Sequence, residues 1–342
     1  MGVDIGELAV KEETTLEALS GKRIVIDGNN ALYQFLSIIR QRDGTLLMDS
    51  KGRVTSHLSG LFYRTARLVE AGVRPIYVFD GEPPKMKRRV LEERREARAE
   101  AHERWMAALQ EGALREARTY ATASSQLTQE MIAEAKHLLE IMGIPAIQAP
   151  QEGEAQGAYM CARGDAWASA SQDYDSLLLG APRLLRNLTI SGRRKLPRRE
   201  EYVEIVPELI ELERMLKELG ITREQLIWIG ILVGTDFNKG VKGIGPKKAL
   251  KLVKECRSLG EIVKKFEGEF EVEPADVEDY FLHPKVAERY DIAFHAPERE
   301  RIVRFLCEEH DFSPERVENA VRSYISAMHE TMEQSKLGEW FG

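Results

Sequence analysis

Apolar residues are distributed along this chain in two rhythms. The segments Lys22 to Ile26, ending at Asp27, and Pro75 to Phe79, ending at Asp80, are short and rich in Val, Ile and Phe, as buried strands are. Ala168 to Ser171 is a weaker third. Leu58 to Ala71, Thr128 to Met142 and Glu154 to Arg163 carry helical patterns between them. Strands alternating with helices predict an α/β fold with a mostly parallel central sheet flanked by helices. Two regions depart from this alternation. Pro83 to about Arg118 is long, highly charged and helix-favouring, with too little apolar surface for a core helix, which predicts a helical insertion projecting from the fold. Beyond Arg223 the chain is mainly helical, and the stretch from about Ser335 reads as a tail.

Composition narrows the class. At 342 residues the chain exceeds the usual single-domain size, so one large domain with insertions or two domains is expected. With 43% hydrophobic and 31% charged residues it matches a globular protein rather than a disordered one. No apolar run reaches the roughly 18 residues of a membrane span. Met1 to Leu8 carries acids where a signal peptide carries bases, so an intracellular protein is expected. Cys161, Cys256 and Cys307 are odd in number and far apart, which argues against a disulfide framework or a zinc site. The net charge of −7 runs against nucleic-acid binding until its distribution is considered. Arg183, Arg186, Arg193, Arg194, Lys195, Arg198 and Arg199 form one acid-free basic stretch, and Lys239, Lys242, Lys247, Lys248, Lys251 and Lys254 a second.

The acids carry the chemistry. Asp27 and Asp80 each stand at the carboxyl end of an apolar strand, the edge of a parallel sheet where ligands bind. Glu152 and Glu154 open a helical stretch after the Ile144 to Ile147 segment. Asp173 and Asp175 follow the third strand, and Asp236 follows the apolar helix Leu226 to Val233. The i, i+2 spacing of each pair puts both carboxylates on one side of an extended segment. Each acid alone has a structural explanation: a helix cap, a first-turn acid favoured by the helix dipole, or a turn residue. If the five segments converge, however, so many like charges raise one another's pKa values unless cations neutralise them. Oxygen ligands without His or Cys suit hard ions such as Mg²⁺, with Mn²⁺ as a substitute. Two such ions about 3.5–4 Å apart perform in-line displacement at phosphodiesters. A Ser-His-Asp type of triad is not indicated, because the seven His residues are scattered.

Taken together, Ile24 to Asn30, Val78 to Pro84, Glu152 to Ala155, Ser171 to Asp175 and Gly234 to Asp236 resemble the flap endonuclease family, structure-specific 5′ nucleases with a PIN-like core. The resemblance spans nearly the whole chain. It implies that Asp27, Asp80, Glu152, Glu154, Asp173, Asp175 and Asp236 are metal-site positions, Asp80 among the catalytic ones. It also implies that the charged insertion is the start of a helical arch (about 83–118) through which a 5′ single strand passes. Lys87 and Arg94, seven apart and so on one helix face, match bases that meet the scissile phosphate. Arg95 and Arg98 read instead as partners in surface pairs with Glu92, Glu93 and Glu96. Tyr33 matches an aromatic residue that stacks near the target nucleotide, and Arg40 is placed with the DNA-binding residues.

Gly243-Ile244-Gly245-Pro246-Lys247-Lys248-Ala249 predicts a tight turn opening a helix whose first amides form an anion site, with Lys247, Lys248 and Lys251 adding charge. It is similar to the helix-hairpin element with which DNA repair proteins grip duplex phosphates, Gly243 and Gly245 being the contact glycines. In relatives the turn also holds a monovalent cation, K⁺, which implicates Val241 and Ile244. Gln334, Leu337, Trp340 and Phe341 resemble the peptide that binds sliding clamps of the PCNA type, with three apolar anchors on one helical turn. Gly342 follows Phe341, and the basic extension of eukaryotic relatives is not present in the sequence. An archaeal, cytoplasmic, nucleoid-associated protein is therefore expected, nuclear if the source is eukaryotic.

The expectation is a monomeric, Mg²⁺-dependent 5′ flap endonuclease with 5′–3′ exonuclease action, cutting branched DNA near the junction during replication, including Okazaki fragment maturation, and repair. A single nuclease domain is expected over residues 1–326, with an N-terminal region 1–105, an internal region of about 119–260 and a C-terminal helical region 261–326, followed by a tail at 327–342. One alternative is a clamp-tethered scaffold that binds branched DNA without hydrolysis, which predicts gaps in the acidic set. Another is a glycosyltransferase or phosphatase using Asp173-x-Asp175 alone, which leaves Asp27, Asp80 and the Gly243 turn unexplained.

Overall fold

The computed structural model describes residues 2–41, 43–111, 113–195 and 202–341. The strands are β1 (Glu12–Glu13), β2 (Arg23–Asp27), β3 (Arg74–Phe79), β4 (Ala146–Gln148), β5 (Ala168–Ala170), β6 (Arg183–Arg186), β7 (Gly192–Lys195), β8 (Tyr202–Ile205) and β9 (Glu208–Glu211). Among the described residues, seven of them form one sheet in the order β1-β9-β6-β5-β2-β3-β4. The contacts β6-β5, β5-β2, β2-β3 and β3-β4 are parallel, and β9 and β1 close one edge antiparallel. The sheet is thus mostly parallel, as the alternation of elements predicts.

Period-two alternation between two covered faces explains why β2 from Ile24 to Ile26 and β3 from Pro75 to Phe79 are apolar. Ile24, Ile26, Tyr77 and Phe79 pack into a core on one face, beside residues of α1 (Gly28–Ile38), α2 (Ser56–Glu70), α5 (Gln129–Ile141) and α14 (Pro314–Phe341). Their neighbours Val25, Ile76 and Val78 turn to the opposite face and meet Met160 and Cys161 of α6 (Gly153–Ala162). A strand covered on both faces has no polar side. A further core joins α7 (Asp175–Leu178), α8 (Leu212–Leu219), α9 (Arg223–Val233), α10 (Pro246–Glu255), α11 (Leu259–Lys265) and α12 (Pro274–Leu282).

The insertion is helical, as its charge pattern predicts: α3 (Arg88–Gln110) and α4 (Leu114–Ala123) pack on each other. The C-terminal stretch differs from its sequence reading. Beyond α13 (Arg299–Val303), α14 runs without a break through Phe341, so the backbone of the expected tail continues a long helix. Val317, Val321, Tyr324 and Met328 anchor the start of that helix in the core, and helical order propagates from them. The side chains of Gln334, Leu337, Trp340 and Phe341 lie outside the described residues. Among the described residues, no helix is long and apolar enough to cross a membrane.

Both basic runs are acid-free in sequence but not in space. Arg183 pairs with Glu211 and Arg186 with Glu208, because β9 lies antiparallel beside β6. Lys239 meets Glu93 of α3, and Lys247 meets Glu7. The side chains of Arg193, Arg194, Lys195, Arg198 and Arg199 are outside the described residues.

Candidate active site at the strand ends

The parallel strands all deliver their carboxyl ends to one edge, and the acids follow from that. Asp27 ends β2 and caps α1, its Oδ1 accepting the Asn30 amide at 2.9 Å. Asp80 follows β3 and accepts the Gly153 amide at 2.7 Å, which ties it to the start of α6 between Glu152 and Glu154. Asp173 accepts from the Asn30 side chain at 3.3 Å. Asp175 opens α7 and accepts the Val3 amide at 2.7 Å. Glu154 takes the hydroxyl of Ser171. Asp236 lies beyond α9, and its charge acts on Asp80 and Asp175. A Cβ on Gly81 would lie 2.2 Å from the Ala149 carbonyl, so the β3 and β4 ends approach this closely only because residue 81 is glycine.

The charges form one network. Burial, then Asp80 and Asp173, push Asp27 well above the usual carboxylate range. Burial, then Asp175, Asp173 and Asp27, do the same to Glu154. Asp175 is pushed up to about 7 by burial, with Asp236, Asp173 and Glu152 adding to it. Burial and Glu152 raise Asp80 in spite of its hydrogen bond from Gly153. The structure therefore brings together all seven predicted acids, from five segments of chain. Two of the structural roles read for them are also present: Asp27 caps α1 and Glu154 lies in the first turn of α6, whereas Glu152 precedes that helix without capping it and Asp175 lies in the first turn of α7.

Two bases face the cluster. Lys87 pairs with Glu152 and, at 3.0 Å, with Asp236, while Arg94 from α3 reaches Asp236 at 2.5 Å. Burial works against the charge on Lys87, but Glu152 and Asp236 outweigh it and hold its pKa above the ordinary lysine value. Asp236 shows the reciprocal effect: burial would raise it, and Lys87 and Arg94 bring it down. With these pairs in place, no set of three His, Cys, Asp or Glu side chains among the described residues is arranged to grip a metal ion. The donor set nonetheless fits hard cations. It is all oxygen, and burial together with the neighbouring carboxylates raises Asp27, Asp80, Glu154 and Asp175 above the ordinary carboxylate range, a penalty that bound cations relieve.

Other predicted residues fall at varying distances from this centre. The Tyr33 ring carries the Arg98 guanidinium 5.1 Å from its centroid. That corrects the reading of Arg98 as a partner in surface ion pairs: its helix face is turned towards α1, where an aromatic ring is the available partner. Arg40 is engaged in structure, donating to the Gly44 carbonyl at 2.7 Å and to Ser125. The Gly243 turn takes the expected form: Gly243 has φ of +80°, Gly245 precedes α10 with no side-chain cap, and Pro246 is its first residue. Lys248 donates to the Gly243 carbonyl at 3.0 Å, and the Val241 carbonyl accepts the Ile244 amide at 3.1 Å.

Sequence reasoning missed the N-terminal segment. A Cβ on Gly2 would lie 2.5 Å from Asp175 Oδ1, so the chain start is pressed against the acids. The absence of a side chain at position 2 was the one available signal. Tyr280 was missed too, and nothing near it in sequence points to the acid it touches.

Comparison with known proteins decides the family. The XPG N-terminal domain matches residues 4–101 and the XPG I-region residues 143–236. Flap endonuclease 1 of Thermococcus onnurineus is 57% identical over 343 residues, covering 100% of this chain and 99% of the relative. The Pyrococcus furiosus protein of the same name is 56% identical, again over 100% and 99%. The chain belongs to the flap endonuclease family. The solved flap endonuclease-1 of Methanococcus jannaschii superposes with a TM-score of 0.76 at 42% identity, over 96% of this chain and 99% of that one. The catalytic core of Rad2, solved in complex with DNA substrate, shares the fold at 24% identity and a TM-score of 0.67. As a flap endonuclease the chain is a structure-specific nuclease, a hydrolase of phosphodiester bonds, and the family is metal-dependent.

Proposed function

We propose that the seven acids hold two Mg²⁺ ions at the strand ends and that this chain cuts branched DNA at the base of a 5′ flap. The observation that carries the reading is the mutual electrostatic influence of acids from five segments, with Lys87 and Arg94 as the opposing charges. The ions, when bound, supply an activated water and stabilise the leaving oxygen. The chain's own residues do the rest. Asp27, Asp80, Glu152, Glu154, Asp173, Asp175 and Asp236 bind and space the ions. Lys87 and Arg94 exchange their carboxylate partners for the scissile phosphate and stabilise the charge that develops on it. Tyr33, backed by Arg98, offers a stacking face for a base. The α10 start, with Lys247, Lys248 and Lys251, grips duplex phosphates without reading sequence. K⁺ at the Val241 and Ile244 carbonyls fits a turn that already presents a carbonyl to the Lys248 ammonium. Gln334, Leu337, Trp340 and Phe341 tether the enzyme to a sliding clamp, which suits replication and repair in the cytoplasm of an archaeal cell.

Labelled 5′-flap, nicked and blunt duplexes, incubated with Mg²⁺ or with a chelator, test the reading. Metal-dependent release of the flap strand is expected. Equal cutting in chelator would overturn the metal site, and failure to prefer the flap would overturn the substrate.

The raised acids give a second test, on stability. Folding raises the pKa values of Asp27, Asp80, Glu154 and Asp175, so the stability they contribute is fully present below the ordinary carboxylate range of about 4 and is lost as pH climbs through their raised values, about 7 for Asp175. Ions that replace the protons restore it. The rise in melting temperature on adding Mg²⁺ is therefore expected to be larger at pH 8 than at pH 5.5. A rise that is equal at both pH values, or larger in acid, counts against ion binding by these carboxylates.

A further inference from the structure

Glu152 is held at both oxygens. Its Oε1 faces Lys87, and its Oε2 accepts a hydrogen bond at 2.6 Å from the phenol of Tyr280, 128 positions away. Tyr280 lies on α12, buried with 8% of its surface exposed. Its ring is braced by Phe237 and Phe281, with centroids at 4.5 and 5.5 Å, and Phe237 directly follows Asp236. Helix α12 packs along α9, where the Trp228 indole donates to Glu278. The phenol is therefore presented to Glu152 from a fixed support.

We propose that Tyr280 is a positioning residue for the Glu152 carboxylate, setting its orientation for metal binding; this rests on the two-ion reading above. Four of the other acids show the same device. Asp27, Asp80 and Asp175 each accept a backbone amide, and Glu154 accepts the Ser171 hydroxyl. Each has a neutral donor that fixes the carboxylate without adding charge that competes with a cation. For Glu152 that donor is Tyr280. Lys87 cannot serve in its place, because its positive charge excludes a cation and its role requires it to move to the phosphate. When Lys87 leaves, Oε1 is released while Oε2 stays held, so a side chain with three rotatable torsions arrives pre-oriented. The simpler account is that a buried phenol merely needs an acceptor.

Tyr280→Phe in the full-length chain separates the two, because it keeps the ring and removes the hydroxyl. Mn²⁺ alone, without DNA, is titrated and the free ion followed by electron paramagnetic resonance. Binding about tenfold weaker is expected, with the metal concentration for half-maximal flap cleavage rising in parallel and the rate recovering at saturating metal. Unchanged Mn²⁺ affinity overturns the proposal. Glu278→Ala removes the acceptor of the Trp228 indole and disturbs the same helix pair without touching the phenol, and is expected to leave affinity unchanged; an equal loss in both variants reduces Tyr280 to helix packing. Glu152→Gln locates any failure. If it too binds Mn²⁺ like the wild type, the two-ion reading is at fault, whereas a loss confined to Glu152→Gln sinks the Tyr280 role alone.

Discussion

Asp80→Ala is expected to bind a 5′-flap duplex as well as the wild type does, or better, while cleaving it slower by roughly a thousandfold or more. The rate follows from the magnitude of ion-derived charge stabilisation. Several kcal/mol of that stabilisation depends on the ions being held, and about 4 kcal/mol corresponds to a thousandfold. Asp80 acts twice. Its carboxylate faces Asp27 and Glu152, and its Oδ1 fixes the Gly153 amide that starts α6 between Glu152 and Glu154. Losing it removes one acid and loosens the seating of two more. Binding is preserved because the duplex contacts proposed for the Gly243 turn lie on another element. One fewer negative charge in the cleft also lowers repulsion of the phosphates. Fluorescence anisotropy in chelator reads the affinity, and single-turnover cleavage in Mg²⁺ reads the rate. A variant that cuts at the wild-type rate removes Asp80 from the site. Asp80→Asn keeps an acceptor for Gly153 and separates the loss of charge from the loosening of α6.

How far this site could be read in advance depended on the distance over which each residue acts. Asp27 and Asp80 were legible because a strand's end is a local signal and a parallel sheet collects such ends on one edge. Glu152, Glu154, Asp173 and Asp175 follow from the same rule one turn later. Asp236 was legible as the acid that follows the apolar helix Leu226 to Val233, and its Gly-Thr-Asp motif matched the family's. Pairings made in three dimensions stayed hidden. Nothing near Tyr280 names Glu152, and nothing in the Arg183 run shows that β9 will return antiparallel with Glu208 and Glu211 beside it. Arg98 was misjudged for a related reason. An i, i+4 rule finds partners along its own helix, whereas the ring beneath it belongs to α1. The helical continuation through Phe341 was hidden because its support, Val317 to Met328, lies upstream of the segment read as a tail.

Arg94→Ala is expected to slow the chemical step by roughly 10²–10³-fold, the size of effect seen when one donor to a developing oxyanion is lost, with only a modest change in DNA affinity. In the structure Arg94 has an acid as partner: it reaches Asp236 at 2.5 Å, and Lys87 approaches the other oxygen of the same carboxylate at 3.0 Å. Both bases therefore hold places that cations and a phosphate diester can take, and each must exchange its partner when substrate arrives. Alanine at 94 leaves Asp236 with Lys87, so the carboxylate is not stranded and ion binding should not weaken. What disappears is a planar two-pronged donor near the phosphate, a geometry that lysine reproduces poorly, so Arg94→Lys should recover only part of the rate. Single-turnover rates at saturating enzyme isolate the step. If affinity falls by the full factor while the saturated rate stands, Arg94 holds DNA and does not assist the cut. If neither changes, the approach of Lys87 and Arg94 to Asp236 reflects the packing of α3 and the turn before it against the site, and the charge that develops on the phosphate is stabilised by other groups.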